Sequence, residues 1–467
     1  MKILSGRFAV KDVAVCALVA TACLLVSFEY CNHHVTTLVN RFASDVRQSV
    51  AVNPGAEEPE EFSAHETGYQ EAKVRVDDLA ETLPAHKEIN RDNPKDPVYN
   101  VPWMDEAYWR SSTAPLSNMF VGSKPLFPPC TDQISPGIPD WGPHPYMGPF
   151  AYVNRSKNPC WFDETHQLLC VPYFYLAGVS KSGTSDLFSR IIQHPEVIGS
   201  GKEHHWFDRR RYYKNQTFWE YARSFRKPTS VVKETLEKHD RSNYISGDAT
   251  PSYFYDSYEW KQFSGNENCT EPRVILANQI RHLYPEAKVI LIVRHPVNRL
   301  YSRYLFDYGR KPKERSEMGP QQFHNRVVDG LNKYTNCIRK WSLRHCVYNK
   351  TLWETVHLLR IAESMYSVLL EDWLRVFPRH QILFIRFEDY AKNITAELAK
   401  VFAFLELEVS GEQLHLFSQS GPRNRGKYHD RGRLLPETRA ILERFYEPFI
   451  RRFASLVGDE KFLWKDI

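Results

Sequence analysis

Residues 178–185 read G-V-S-K-S-G-T-S, between the apolar run PYFYLAGV (172–179) and a segment of helical pattern. Glycine permits a tight turn there, and the free backbone N–H groups at a helix start form a cradle for an anion. Lys181 puts a positive charge inside the loop, and Ser182, Gly183, Thr184 and Ser185 add hydroxyl and amide donors. A second cationic end follows at Arg294, directly behind the run VILIV (289–293). Its guanidinium offers phosphate a forked donor beside another helix start at Pro296. A third segment, G-K-E-H-H-W-F-D-R-R-R (201–211), crowds a carboxylate and two imidazoles among cations. Carboxylates and imidazoles are the groups that relieve a hydroxyl of its proton when it must act as a nucleophile. Arg209, Arg210 and Arg211 suit a sulfated or carboxylated chain, or else form a solvated face.

These segments need elements to hold them, and the pattern supplies an alternation of strands and helices. PYFYLAGV (172–179), YISGDAT (244–250), AKVILIVR (287–294) and ILFIRF (382–387) read as strands. VILANQIRHLYP (274–285), MYSVLLEDWLRVF (365–377), NITAELAKVFAFLEL (393–407) and the stretch from Pro436 to Val457 read as helices. Such alternation predicts an α/β fold, a P-loop-like parallel sheet flanked by helices. Both anion loops then sit at strand-to-helix junctions. A nucleotide triphosphatase loop, G-x-x-x-x-G-K-[ST], shares the glycine spacing, but Thr184 rather than lysine follows Gly183. A magnesium-holding carboxylate would also be needed, and Asp248 is the one weak candidate.

The segment K-S-G-T-S at 181–185 resembles the 5′-phosphosulfate loop of sulfotransferases that use PAPS (3′-phosphoadenylyl sulfate), usually P-K-S-G-T-[TS]; here Ser180 stands in place of proline. In that family a strand ending in Arg, with Ser eight residues later, binds the 3′-phosphate, and Arg294 and Ser302 occupy those positions. K-E-H-H-W-F (202–207) is similar to the acceptor segment of the lumenal carbohydrate sulfotransferases. The resemblance covers residues 165–467 and lies nearest the N-acetylgalactosamine 4-sulfate 6-O-sulfotransferases of the chondroitin type, through K-E-x-H-W, the Cys337–Cys346 region and the DWL…ILFIRFEDY…VFAFLEL run. It implies the sulfotransferase fold, PAPS as donor with no metal, and a sulfated glycosaminoglycan acceptor. It also implies Lys181 at the transferring group and Glu203 as base, with His205 as the rival base. Lys202, Arg209 and Asp248 would contact the acceptor, and Lys427 (or Arg425) the nucleotide. Heparan sulfate sulfotransferases, tyrosylprotein sulfotransferases and an inactive glycan-binding homologue remain as alternatives.

Composition is compatible with this reading. The 467 residues carry a net charge of +5, split between an acidic stretch over 51–100 and a basic one over 101–467. A basic region suits an anionic ligand. Residues 13–28 (VAVCALVATACLLVSF) carry no charge, follow Lys2, Arg7 and Lys11, and are expected to form an uncleaved signal anchor, with a cleaved signal peptide as the alternative. The expected organisation is a cytoplasmic tail at 1–12, a membrane span at 13–30, a flexible stem at 31–100, an irregular Pro- and Trp-rich lead-in at 101–170 and a catalytic domain at 171–467. The positive flank predicts a single-pass type II protein of the Golgi membrane with a lumenal domain. Sequons at Asn154, Asn215, Asn268, Asn349 and Asn393 agree with that compartment. Beyond Cys31 the cysteines are Cys130, Cys160, Cys170, Cys269, Cys337 and Cys346, an even set; several pairings are open, and Cys337 with Cys346 is the easiest local one. Cysteine and histidine never fall at zinc spacing. No nucleic-acid partner is expected.

Overall fold

The computed structural model describes residues 150–467 apart from 264, 310–318, 357–358, 420 and 422–431. The apolar run 13–28, the stem, Cys130, Arg425 and Lys427 lie outside the described residues. Among the described residues no helix is long and apolar enough to cross a membrane.

Residues 150–170 are the described part of the expected lead-in. They hold an antiparallel hairpin of β1 (Cys160–Phe162) and β2 (Leu168–Cys170). A Cys160–Cys170 disulfide closes the hairpin, and Phe150 stacks on Trp161 at 4.0 Å. Trp161 and Leu169 belong to the main core, so the folded domain includes these residues and begins before 171. A three-residue strand is too short to show a periodicity, which is why the alternation of residue types did not reveal it.

The central sheet has four parallel strands in the order β4-β3-β5-β6: β3 (Phe174–Gly178), β4 (Gly247–Asp248), β5 (Lys288–Val293) and β6 (Ile382–Arg386). All four are the predicted strands, trimmed at their ends. A parallel strand covered on both faces reads as a continuous apolar run, and KVILIV does. Along β5, Val289, Leu291 and Val293 enter one core and Ile290 and Ile292 the other. β4 is short, and Gly247 is forced by its neighbour: a Cβ there would lie 2.2 Å from the Phe174 ring on the paired strand.

The helices that matter for the site, numbered in chain order, begin with α1 (Thr184–Ile191), α2 (Phe218–Arg223) and α3 (Leu276–Leu283). They continue with α4 (Pro296–Gly309), α5 (Pro320–Ile338), α6 (Leu343–Val347) and α7 (Tyr366–Val376). The last three are α8 (Phe387–Lys392), α9 (Ile394–Phe404) and α10 (Pro436–Val457). α1 and α9 cover one face of the sheet through Leu187, Ile191, Leu398 and Phe402; α3, α4, α7 and α10 cover the other. β3 has β4 on one side and β5 on the other, so the strand order reverses at its carboxyl end. That reversal opens a crevice, the usual ligand position in an open α/β sheet. The Cys337–Cys346 disulfide joins the end of α5 to α6, the local pair expected from the spacing.

Candidate active site

The loop after β3 folds into the crevice. Lys181 (φ +72°) and Gly183 (φ +83°) both take the left-handed conformation, which turns the chain back before α1 begins at Thr184. Glycine is needed at 183, because a Cβ there would approach the Phe387 ring to 3.0 Å and would also meet the φ penalty. Ser182 is fully buried, and its hydroxyl oxygen has no hydrogen-bond partner. An orphaned hydroxyl under a cationic loop at a helix start is a donor awaiting an anion, so these residues fit a phosphate or sulfate group. α1 is held from behind: Arg190 donates to Asp186 at 2.8 Å and to the Phe417 carbonyl at 2.6 Å.

The two predicted anion motifs meet. Arg294, which follows β5, donates from Nη1 to the Lys181 carbonyl at 3.4 Å, and its guanidinium lies 4.9 Å from the Phe387 ring centroid. The Lys181 ammonium sits 4.0 Å over the Phe306 ring of α4. Burial and the Arg303 and Arg294 cations push Lys181 down to about 8, with Asp307 opposing. Burial also lowers Arg294. Ser302 is half-buried one position before Arg303. Arg303 went unnoticed in the sequence, although Arg299, Arg303 and Asp307 recur at helical spacing.

The acceptor segment lies across the edge of the sheet at β4. Its backbone is tied to the turn after that strand: Glu203 N–H donates to the Ala249 carbonyl at 3.2 Å, His205 N–H to Thr250 Oγ1 at 3.3 Å and Trp206 N–H to the Tyr253 hydroxyl at 3.1 Å. Asp248 stands behind them. It is fully buried and accepts from Tyr221 and Tyr253 at 3.0 Å each and from Thr250 at 2.6 Å. Its expected place against the acceptor is therefore corrected: three donors of the protein itself already occupy the carboxylate, and it reaches the segment through Thr250 and Tyr253, which bond its backbone, and Tyr221, which stacks on Trp206 at 5.2 Å.

Glu203 and His205 both have left-handed backbones, at φ +63° and +53°. The Glu203 side chain is half-exposed, pairs with Lys202 and lies 3.6 Å from His205 Nε2. The His205 ring at that distance, with Lys202 paired beside it, holds Glu203 down to about 2. Burial works against the His205 imidazolium, but Asp208 (3.0 Å) and Glu203 outweigh it and raise the ring to about 9. Near neutral pH the pair therefore consists of a carboxylate and an imidazolium. Asp208 and Ser252 escaped the sequence reading; Ser252 donates to Asp208 from 44 positions away.

The arginine run is divided. Arg209 pairs with Asp256 at 2.9 Å, and Arg211 is buried, stacked over Trp206 at 4.6 Å and bonded to Gln279 at 3.0 Å. Burial and the Asp208 charge push Asp256 up to about 7 against the pull of Arg209. Of the sequons, Asn154, Asn215, Asn268 and Asn393 are exposed and Asn349 is half-buried. Asn349 and Asn393 cap helices, accepting from Leu352 N–H at 2.9 Å and Ala396 N–H at 3.0 Å. Cys269 is also disulfide-bonded. Among the described residues no group of three or more His, Cys, Asp or Glu side chains is placed to hold a metal ion.

The family described as the sulfotransferase domain matches residues 172–420 of this chain. Carbohydrate sulfotransferase 15 of Mus musculus is 36% identical over an alignment covering 78% of this chain and 64% of that protein. The Homo sapiens protein of the same name is 35% identical, with 64% and 55% covered. Heparan sulfate glucosamine 3-O-sulfotransferase 6 of Homo sapiens is 27% identical, with 62% and 72% covered. The chain thus spans less than two thirds of the length of the Mus musculus and Homo sapiens carbohydrate sulfotransferase 15 proteins.

Proposed function

The chain belongs to the sulfotransferase domain family, and on that footing we propose that it moves the sulfuryl group of PAPS to a hydroxyl of a glycosaminoglycan. The favoured acceptor is C6 of N-acetylgalactosamine 4-sulfate in chondroitin or dermatan sulfate. The observation that carries this reading is the bond from Arg294 to the Lys181 carbonyl, which unites two anion motifs 113 positions apart at one sheet end.

In the proposed mechanism Arg294 and Ser302 hold the 3′-phosphate and fix the register of the donor. The loop amides, Ser182 Oγ and the Lys181 ammonium surround the phosphosulfate. Glu203 takes the proton of the acceptor hydroxyl as its oxygen attacks sulfur. The bond from sulfur to the bridging phosphate oxygen breaks, and the charge left on that oxygen is met by Lys181. Lys202 starts as the partner of Glu203, so an anionic acceptor must draw it away and free the carboxylate. His205 remains protonated between Glu203 and Asp208 and orients the base. Lys427 is proposed as a further nucleotide contact. The enzyme is proposed to be a type II Golgi membrane protein anchored through residues 13–30, with 31–100 as its stem and glycans at the exposed sequons.

The test is transfer of radiolabelled sulfate from PAPS to chondroitin, dermatan, heparan and tyrosine-peptide acceptors, followed by disaccharide analysis. Label in a 4,6-disulfated galactosamine unit is the expected result. Label in heparan alone would keep the donor site and overturn the acceptor.

A further inference from the structure

The donor loop is held in two left-handed turns at Lys181 and Gly183, yet Ser180, which enters it, is not a residue that restricts its own backbone. Something outside the loop must restrict it. Arg303 of α4 does so: its Nη1 donates to Ser180 Oγ at 2.9 Å. The arginine is itself immobilised, with Nε paired to Asp307 at 2.8 Å and its side chain 16% exposed. Behind it the charges continue through Arg360, 3.9 Å from Asp307 and 3.6 Å from Glu363, to the fully buried Arg299, 3.0 Å from Glu363. Phe306, one turn along the same helix, receives the Lys181 ammonium. One face of α4 thus holds both the entrance of the loop and its lysine.

We propose that Arg303 is the positioning residue of the donor loop, a clamp on Ser180 that does from outside what a proline at position 180 would do from within. Proline would fix φ near the value a negative-φ entrance needs, whereas a serine needs a tether. Ser180 is the position at which the phosphosulfate pattern departs from its usual proline. Arg303 also crowds Lys181 with like charge, together with Arg294 and against Asp307. This inference rests on the PAPS reading of the site.

The experiment uses the full chain in detergent. Calorimetry follows binding of adenosine 3′,5′-bisphosphate, and PAPS turnover is followed from pH 5 to 10 in wild type, S180A, R303A and S180P/R303A. Loss of a charge-assisted hydrogen bond should lower kcat/KM for PAPS about tenfold in both S180A and R303A. S180P/R303A should recover most of that loss, because proline restores the restraint. In wild type kcat/KM should fall above about pH 8 as Lys181 loses its proton. R303A should move that limb to higher pH, because a repelling cation is gone, and S180A should leave it in place. If R303A does not fold, S180A carries the test of the clamp. R303A and S180A with wild-type kcat/KM would overturn the inference, as would a loss that proline does not recover. A wild type that neither binds the bisphosphate nor transfers sulfate would instead overturn the reading of the donor site itself.

Discussion

Glu203 and His205 are two positions apart in sequence, and either type can serve as a base. Their surroundings separate them: His205 sits between two carboxylates and is raised to about 9, while Glu203, 3.6 Å from that ring and paired with Lys202, is held at about 2. The separation makes a prediction at this scale. Were His205 the base, kcat/KM would climb as pH rose through about 9, where the ring loses its proton. With Glu203 as base the carboxylate is ionised throughout the working range, so no such climb occurs and the profile falls above about 8 with Lys181. E203Q should lower kcat by about a hundredfold or more while leaving bisphosphate binding intact. A pH–rate profile and single-turnover assay of that variant would check both points.

At the scale of elements, the site depends on the carboxyl ends of two strands and the turns that leave them. Gly183 turns the chain from β3 into α1 with φ +83° against the Phe387 ring. G183A is expected to cost ~1–2 kcal/mol in denaturant unfolding from the left-handed backbone alone, and to weaken donor binding as the loop shifts. At the edge strand β4, Asp248 holds Tyr221, Tyr253 and Thr250, two of which bind the backbone of the acceptor segment. D248N replaces an acceptor oxygen by a donor against three donors, and should destabilise by ~1–3 kcal/mol. Because the acceptor segment then loosens, kcat should fall with KM for PAPS little changed. Steady-state kinetics alongside a melting curve would separate those effects.

For the molecule as a whole, α10 and the C-terminal residues close the fold over the donor side. Trp464 donates to Glu388 at 2.8 Å, and Glu388 accepts from His295 N–H at 3.0 Å, beside Arg294. Burial, with Arg439, Arg386 and Arg294 around it, lowers His295 to about 4. An unfolded histidine titrates near ~6.5, so between those values the unfolded chain binds more protons than the folded one. Stability from this group is therefore complete above about pH 6.5 and is lost as pH falls toward 4. The denaturant midpoint should drop between pH 7 and 4.5 in wild type and drop less in H295N. The Cys337–Cys346 bridge closes a loop of sequence separation 9, and C337S/C346S should cost about 2–3 kcal/mol in the same measurement.

The sequence by itself determined whatever local spacing encodes. The continuous apolar runs marked β3, β5 and β6, and the 3.6-residue pattern marked α7 and α10, because burial on two faces or one stripe leaves a direct trace in residue type. Lys181 and Arg294 were legible as cations at strand-to-helix junctions, and Ser302 through the family resemblance that expects a serine eight residues after the arginine. Tertiary structure brought Ser252 to His205 from 47 positions away, whereas Asp208 and Glu203 are neighbours of His205 along the chain whose distances and geometry the fold had to set. It also moved Asp248 from the acceptor cleft into the core, split the arginine run between ion pair and burial, and set Arg303 against Ser180 across 123 positions. Electrostatic and hydrogen-bond partners are set by distance in space, and a sequence records that distance only when the partners are also neighbours along the chain.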